Sequence, residues 1–272
     1  MDLDTGYTFV PLAEKNYGGF HDKIAQELLT KWGVKPNICI QRFSFNEPFQ
    51  PYLKYHLAEL FFKDPIVASK LKTKKLNSWF NEGIIATEVK TEHIPCSVLA
   101  MSFFDRLKEP ENNITYDSNK IRQTMKYNED GDLITDNLKA MLLDPESNEY
   151  NLYDNDERKE FIFHILQMLV IGGKLCQYED VLNPYIDVTK ILYKDLVRVD
   201  RREHTTDLFI STLVLKVVAM KSGKPYFPRN IDEKTNYAFL LVDQASRQVT
   251  SFIHQLDGHE EWKKLKNRNE NE

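Results

Sequence analysis

The apolar positions of this chain fall into two kinds of pattern, one with a helical period and one dense enough for strands. Over residues 20–32, Phe20, Ile24, Leu28 and Trp32 recur every four positions, which predicts a helix with that stripe inward and Gly33 at its end. After Pro48 and Pro51, Leu53, Leu57, Leu60 and Phe61 share a second helical face, interrupted by Asp64-Pro65. Ser97 is read as the cap of a helix over 97–107. Asp154 and Glu157 have capping-box spacing ahead of a helix over 158–171, and Gly172 supplies the stop. In that helix Phe161, Ile162, Phe163, Ile165, Leu166, Met168, Leu169, Val170 and Ile171 lie almost all round the cylinder, so it is expected at the centre of the fold. Asn183-Pro184 reads as an N-cap and first-turn proline of a helix through Ile186, Ile191 and Leu192.

The strand-like runs are 7–10, 38–45, 83–89, 196–199, 208–219, 237–242 and 248–253, with a hairpin turn over 243–247. Both faces of 208–219 are largely apolar, which places that strand in the middle of a sheet with the buried helix as its cover. The fold expected is α+β: a largely antiparallel sheet packed against a buried helix and surface helices. A single domain is expected over 1–257, with a variable surface insertion near 109–133. Residues 258–272 read as a polar tail in which Trp262 and Leu265 could dock.

Composition narrows the class. The chain has 272 residues, 42% hydrophobic and 28% charged, and its 16 Phe, 13 Tyr and 3 Trp suffice for a large core. Three widely spaced cysteines, Cys39, Cys96 and Cys176, offer neither a disulfide framework nor a CxxC site, which fits a reducing compartment. The acidic start, with Asp2 where myristoylation needs glycine, and the NRNENE end carry no address or lipid signal, so a cytoplasmic protein is expected. The longest apolar stretch is well short of the ~18–20 residues that span a bilayer, so no membrane partner is expected. A net charge of −5 argues against nucleic acid as a partner.

Charge is uneven, however. Lys63, Lys70, Lys72, Lys74 and Lys75 face a single acid, Asp64; residues 144–160 carry seven acids against Arg158 and Lys159; and residues 216–229 carry four basic residues and no acid. Each is read as a solvated face or as a docking patch for an oppositely charged protein.

Near-matches to reactive motifs fail on chemistry. Gly172-Gly173-Lys174 lacks the Gly and the Ser/Thr of a phosphate loop, since Met168 and Leu175 stand there. His259-Glu260 lacks the second zincin histidine, its position being Lys263, and His93 with Cys96 is at most half a zinc site. His164 reads as a satisfied core histidine. Cys176, beside Tyr178, Glu179 and Asp180, sits where carboxylates disfavour a thiolate. No catalytic residue, cofactor or metal site is expected.

Several strings carry a resemblance: LFFKDP (Leu60 to Pro65), TEVK (Thr87 to Lys90), IPC (Ile94 to Cys96), MSFF (Met101 to Phe104) followed by Arg106-Leu107, and above all GGKLCQYEDVLNPYIDVTKILYKDLVRV from Gly172 to Val199. In this order along the chain they resemble the cilia- and flagella-associated protein 300 family, over roughly residues 7–253. The resemblance implies a non-enzymatic cytoplasmic factor, also associated with the ciliary axoneme, that assists assembly or transport of outer and inner dynein arms. The implied partners are dynein assembly factors including co-chaperones with a PIH domain, axonemal dynein chains and intraflagellar transport. The alternative is a structural axonemal protein on doublet microtubules or dynein docking sites, where the lysine run Lys70, Lys72, Lys74 and Lys75 would meet acidic tubulin surface. An unrecognised enzyme is a further alternative, which would show a deep pocket of convergent polar groups.

The expected partner-binding surface is the run 176–194. Gly172 and Gly173 bring the chain to the surface and Asn183-Pro184 begins another helix, so the link between is held at both ends. Glu179, Asp180, Asp187 and the exposed faces of Tyr178 and Tyr185 are its candidate contacts. The competing reading packs Leu175, Tyr178, Val181 and Tyr185 underneath.

Overall fold

The computed structural model describes residues 6–256, so the tail over 258–272, with His259, Trp262, Lys263 and Leu265, lies outside the described residues. In chain order the helices are α1 (Lys23–Lys31), α2 (Lys54–Lys63), α3 (Pro65–Lys70), α4 (Asn137–Leu143), α5 (Asn155–Lys159), α6 (Phe161–Ile171) and α7 (Asn183–Leu196). The strands are β1 (Phe9–Pro11), β2 (Ile38–Phe45), β3 (Lys72–Lys75), β4 (Ser78–Asn81), β5 (Glu88–Ile94), β6 (Gln123–Tyr127) and β7 (Leu133–Asp136). They continue with β8 (Val199–Arg201), β9 (Leu208–Ile210), β10 (Leu213–Lys221), β11 (Lys224–Phe227), β12 (Tyr237–Asp243) and β13 (Gln248–His254). The fold is α+β, as the sequence patterns predict. The sequence reading treats residues 1–257 as one domain; by their contacts the described residues group into two compact units.

The first unit, residues 6–16, 36–94 and 211–256, is built on an antiparallel sheet in the order β1-β2-β13-β12-β10-β11, with β5 on the other side of β10. The predicted hairpin is present as β12 and β13, in register Leu240 to Ser251 and Val242 to Val249. β10 is a central strand, as its two apolar faces require. On one face Phe43, Leu215, Val217, Leu240, Val249 and Ile253 pack under Leu57, Ala58, Phe61 and Phe62 of α2. The Phe61 ring meets Phe9, Phe43 and Phe62 edge-on at 5.1–5.2 Å between centroids. The cover that the sequence reading sought in the 158–171 helix is supplied on this face by α2. Asp64 ends α2 and caps α3, accepting from the backbone N–H groups of Ile66 and Val67. The edge strand β5 carries Glu88, Lys90 and Glu92, charges that discourage a further strand from pairing there.

The second unit, residues 17–35 and 95–210, is mostly helical. At its core α6 buries Phe161, Ile162, Phe163, Ile165, Leu166, Met168, Leu169 and Val170 against α4, α5 and α7. The Asp154–Glu157 capping box is formed, but it launches α5 and not α6: Glu160 adopts an extended conformation and breaks the predicted 158–171 helix in two. The Glu160 carboxylate accepts from the Ser97 N–H (3.0 Å) and hydroxyl (2.5 Å). Ser97 is thereby diverted from its expected capping role, and the chain forms a 3₁₀ helix only at Met101–Lys108. Arg158 donates to the Met141 and Leu142 carbonyls, satisfying acceptors at the end of α4.

Other boundaries shift for reasons of pairing. The strand expected over 83–89 is β5 instead, because its partner on β10 runs opposite Glu88–Ile94. The 208–219 run divides at Ser211 and Thr212, leaving β9 paired with β8 in one unit and β10 in the sheet of the other. The 196–199 strand starts only at Val199, because α7 extends to Leu196. In α1 the stripe is rotated: Ala25, Leu29 and Trp32 are buried while Ile24 is 66% exposed. The predicted insertion near 109–133 contains buried Ile114, Thr115 and Ile121 and the strand β6, paired with β7.

Candidate interaction surface

Gly172 sets the geometry of the 176–194 run. Its φ of +68° suits glycine, and an added Cβ would lie 2.5 Å from the Cys176 Sγ and 2.9 Å from the Trp32 carbonyl oxygen. Gly173 then donates to that same Trp32 carbonyl (2.8 Å), and the Gln177 N–H donates to Lys31 (2.9 Å). The far end of the link is tied as well, Ile121 donating to the Asp180 carbonyl (2.8 Å) and Leu182 to Asn119 (3.0 Å). The segment is thus fastened to α1 on one side and to the 114–121 loop on the other.

Within this frame the expected contacts separate. Tyr185 is buried, its ring stacked on Trp32 with 4.6 Å between centroids, and its hydroxyl accepts from the Glu179 N–H at 3.0 Å. Tyr185 is therefore not a surface contact: it is part of the floor, as the competing reading expects. Glu179 faces inward too, one carboxylate oxygen accepting from the Trp32 indole N–H (3.0 Å) and pairing with Lys31 (2.7 Å). Asp180 and Asp187 are exposed. Tyr178 is half-exposed, with the Lys139 ammonium 3.2 Å from its ring centroid. Leu175 and Val181, which the competing reading placed underneath, are exposed, Leu175 by 86%. The outward surface is thus Leu175, Tyr178, Asp180, Val181 and Asp187.

Lys139 is a residue that sequence reasoning missed. It is buried on α4, paired with Asp136 at 3.4 Å and donating to the Thr135 hydroxyl at 2.7 Å, and burial lowers its pKa against the pull of Asp136. The only signal was Asp136 three positions before it, which caps α4 through the Lys139 N–H. Burial pushes the Cys176 thiol up to about 11, with Lys139 pulling the other way, and burial raises Cys96 to about 12 and Cys39 to about 11. Near neutral pH all three are thiols. Among the described residues no group of three or more His, Cys, Asp or Glu side chains is placed to hold a metal ion, and no helix is long and apolar enough to cross a membrane.

The lysine run also divides. Lys74 is buried, its ammonium donating to the Asn37 side chain and to the Gln255 carbonyl. Buried in this way, it is not a docking residue. Lys70 and Lys75 are exposed, Lys72 is half-buried, and Lys63 pairs with Glu59 on its own helix at 2.6 Å.

Comparison with known proteins gives these surfaces a context. The sequence model of cilia- and flagella-associated protein 300 matches residues 6–254. The chain belongs to that family. It is 25% identical over 250 residues to cilia- and flagella-associated protein 300 of Chlamydomonas reinhardtii, covering 90% of this chain and 96% of that one. Against the Paramecium tetraurelia protein of the same name it is 25% identical over 235 residues, covering 86% and 88%. No solved structure matches it. The matched span of the family model includes both compact units and the whole 172–199 run, so both described surfaces belong to the part shared with the family.

Proposed function

We propose that this member of a cilia- and flagella-associated family is a non-catalytic cytoplasmic factor that assists assembly or transport of outer and inner axonemal dynein arms. The observation that carries the reading is the family match across residues 6–254, a span that includes the 172–199 run. Its physical logic is that dynein chains are large, fold slowly and expose apolar surface on the way, so their assembly calls for helper surfaces. The 175–187 segment suits such work: it is tied down at both ends, and its outward Leu175, Tyr178, Asp180 and Asp187 would lose little freedom on binding. Its partners are then dynein assembly factors, including co-chaperones with a PIH domain, with dynein chains and intraflagellar transport as further candidates.

Electron microscopy of cilia lacking the protein tests the reading. The expected result is cilia of near-normal length whose cross-sections lack dynein arms; intact arms would sink it.

A further inference from the structure

The second unit carries a groove of about 500 Å³ that shares the end of α7 with the 176–194 run but none of the outward residues Leu175, Tyr178, Asp180, Val181 and Asp187 described above. One wall is the irregular segment Val98, Leu99 and Ala100 with Met101, the first residue of the 3₁₀ helix; the other is the C-terminal half of α7, with Val197 and Val199 beyond it. Ile162 of α6 and Tyr193 of α7, both buried, form the floor. Leu99 and Val199 stand half-exposed along the rim, so the groove is an open trough with an aliphatic lining. Two lysines complete it. Lys190 and Lys194 are exposed and one helical turn apart on α7, and among the described residues neither has an ion-pair partner. Of the acids nearby, Asp200 pairs with Arg198 at 3.0 Å and the Asp195 carboxylate accepts from the Phe20 N–H at 2.7 Å, while Asp187, one turn before Lys190, is exposed.

We propose that this groove is a docking site for a short acidic segment of a partner protein that presents one or two large aliphatic or aromatic side chains. The trough takes the apolar side chains, and carboxylates along the segment meet Lys190 and Lys194, whose spacing of about 6 Å between Cβ atoms suits successive acidic residues. Its size lies in the range of pockets that hold a few side chains, about 300–1,000 Å³. Nucleic acid is a poorer fit, because the lining offers no exposed aromatic platform and no arginine. A fatty acid is a poorer fit because the open rim leaves an acyl chain half in water. The inference rests on the assembly-factor reading for its biological use alone, since the binding itself is measured without cilia.

A display library of random peptides, panned against the full chain, tests the site. Peptides combining Leu, Ile, Phe or Met with Asp or Glu should be enriched, and a synthetic copy of the strongest should bind the K190E/K194E double variant about tenfold more weakly. Leu99→Asp, at an exposed rim position, should weaken it as well, and Asp187→Lys, on the other patch, should not. Circular dichroism melts of each variant confirm folding. Absence of enrichment, enrichment of basic or acid-free peptides, retention by the double variant, or binding of an oligonucleotide or oleate at Lys190 and Lys194 in place of the peptide would each overturn the proposal. Because the readout is a peptide affinity, intact dynein arms in the microscopy above would leave it standing, and failure here would leave the assembly reading standing.

Discussion

The lysine run at 63–75 and the acidic, tyrosine-rich run at 176–194 resemble each other as sequence, each a string of charges among apolar neighbours, yet the fold sorts them by different rules. In the first, β3 buries both Thr73 and Lys74 and leaves Lys75 outside, so the strand's alternation does not decide which lysine is internal. What decides it is the convergence of acceptors from distant positions, Asn37 and the Gln255 carbonyl, on one ammonium. The second run obeys helical geometry over α7, where Tyr185, Ile186, Val188, Thr189 and Leu192 face inward and Asp187, Lys190 and Lys194 face out. Ahead of α7 that rule lapses, and Glu179 turns in because Lys31 and Trp32 await it. The difference teaches that a charged residue's place follows from where its partners are, since a charge is tolerated inside only when paired or hydrogen-bonded.

Substitutions can break this comparison at either end. The largest effect is expected from Tyr185→Ala, which deletes a buried ring stacked on Trp32 and should cost about 3–5 kcal/mol in denaturant unfolding. Should it prove neutral, the floor of the 176–194 run has been misassigned. Lys74→Ala comes next, at about 1.5–3 kcal/mol, because charge-assisted hydrogen bonds to Asn37 and Gln255 are lost and those acceptors are left buried. An equal result for Lys74→Ala and Lys75→Ala in thermal melts would erase the distinction drawn within the lysine run.

Gly172→Ala should cost about 1–3 kcal/mol through its positive φ and the collision with Cys176 and Trp32. Its crystal structure or amide exchange should show the change confined to the turn joining α6 to residue 176. The smallest stability effect is expected from Asp180→Lys combined with Asp187→Lys, within about 0.5 kcal/mol because both are exposed. That pair is also the cleanest probe of function, and recovery of PIH-domain co-chaperones in pull-downs should fall. Replacing Glu179 would confuse the test, because Glu179 holds Lys31 and Trp32.

Much of the candidate surface was legible before the structure. Gly172 as a stop, a proline in the first turn of α7 and the exposure of Asp187 follow from glycine's freedom at positive φ, proline's missing donor and helical period. Glu160 breaking the helix was not legible, because nothing near it in sequence announces the Ser97 hydroxyl it binds. Nor was the groove, whose walls come from residues 98–101 and 190–199, nearly a hundred positions apart.

The sequence by itself determined the α+β class, the β12–β13 hairpin, the apolar character of α6 and the capping box at Asp154, because each depends on residues within a few positions of one another. Only the tertiary structure decided that the 208–219 run is shared between two units, that Lys74 and Tyr185 are internal, and that Lys190 and Lys194 stand beside an apolar trough. Those outcomes depend on partners brought from far along the chain, and local propensity is worth too little per residue to resist them.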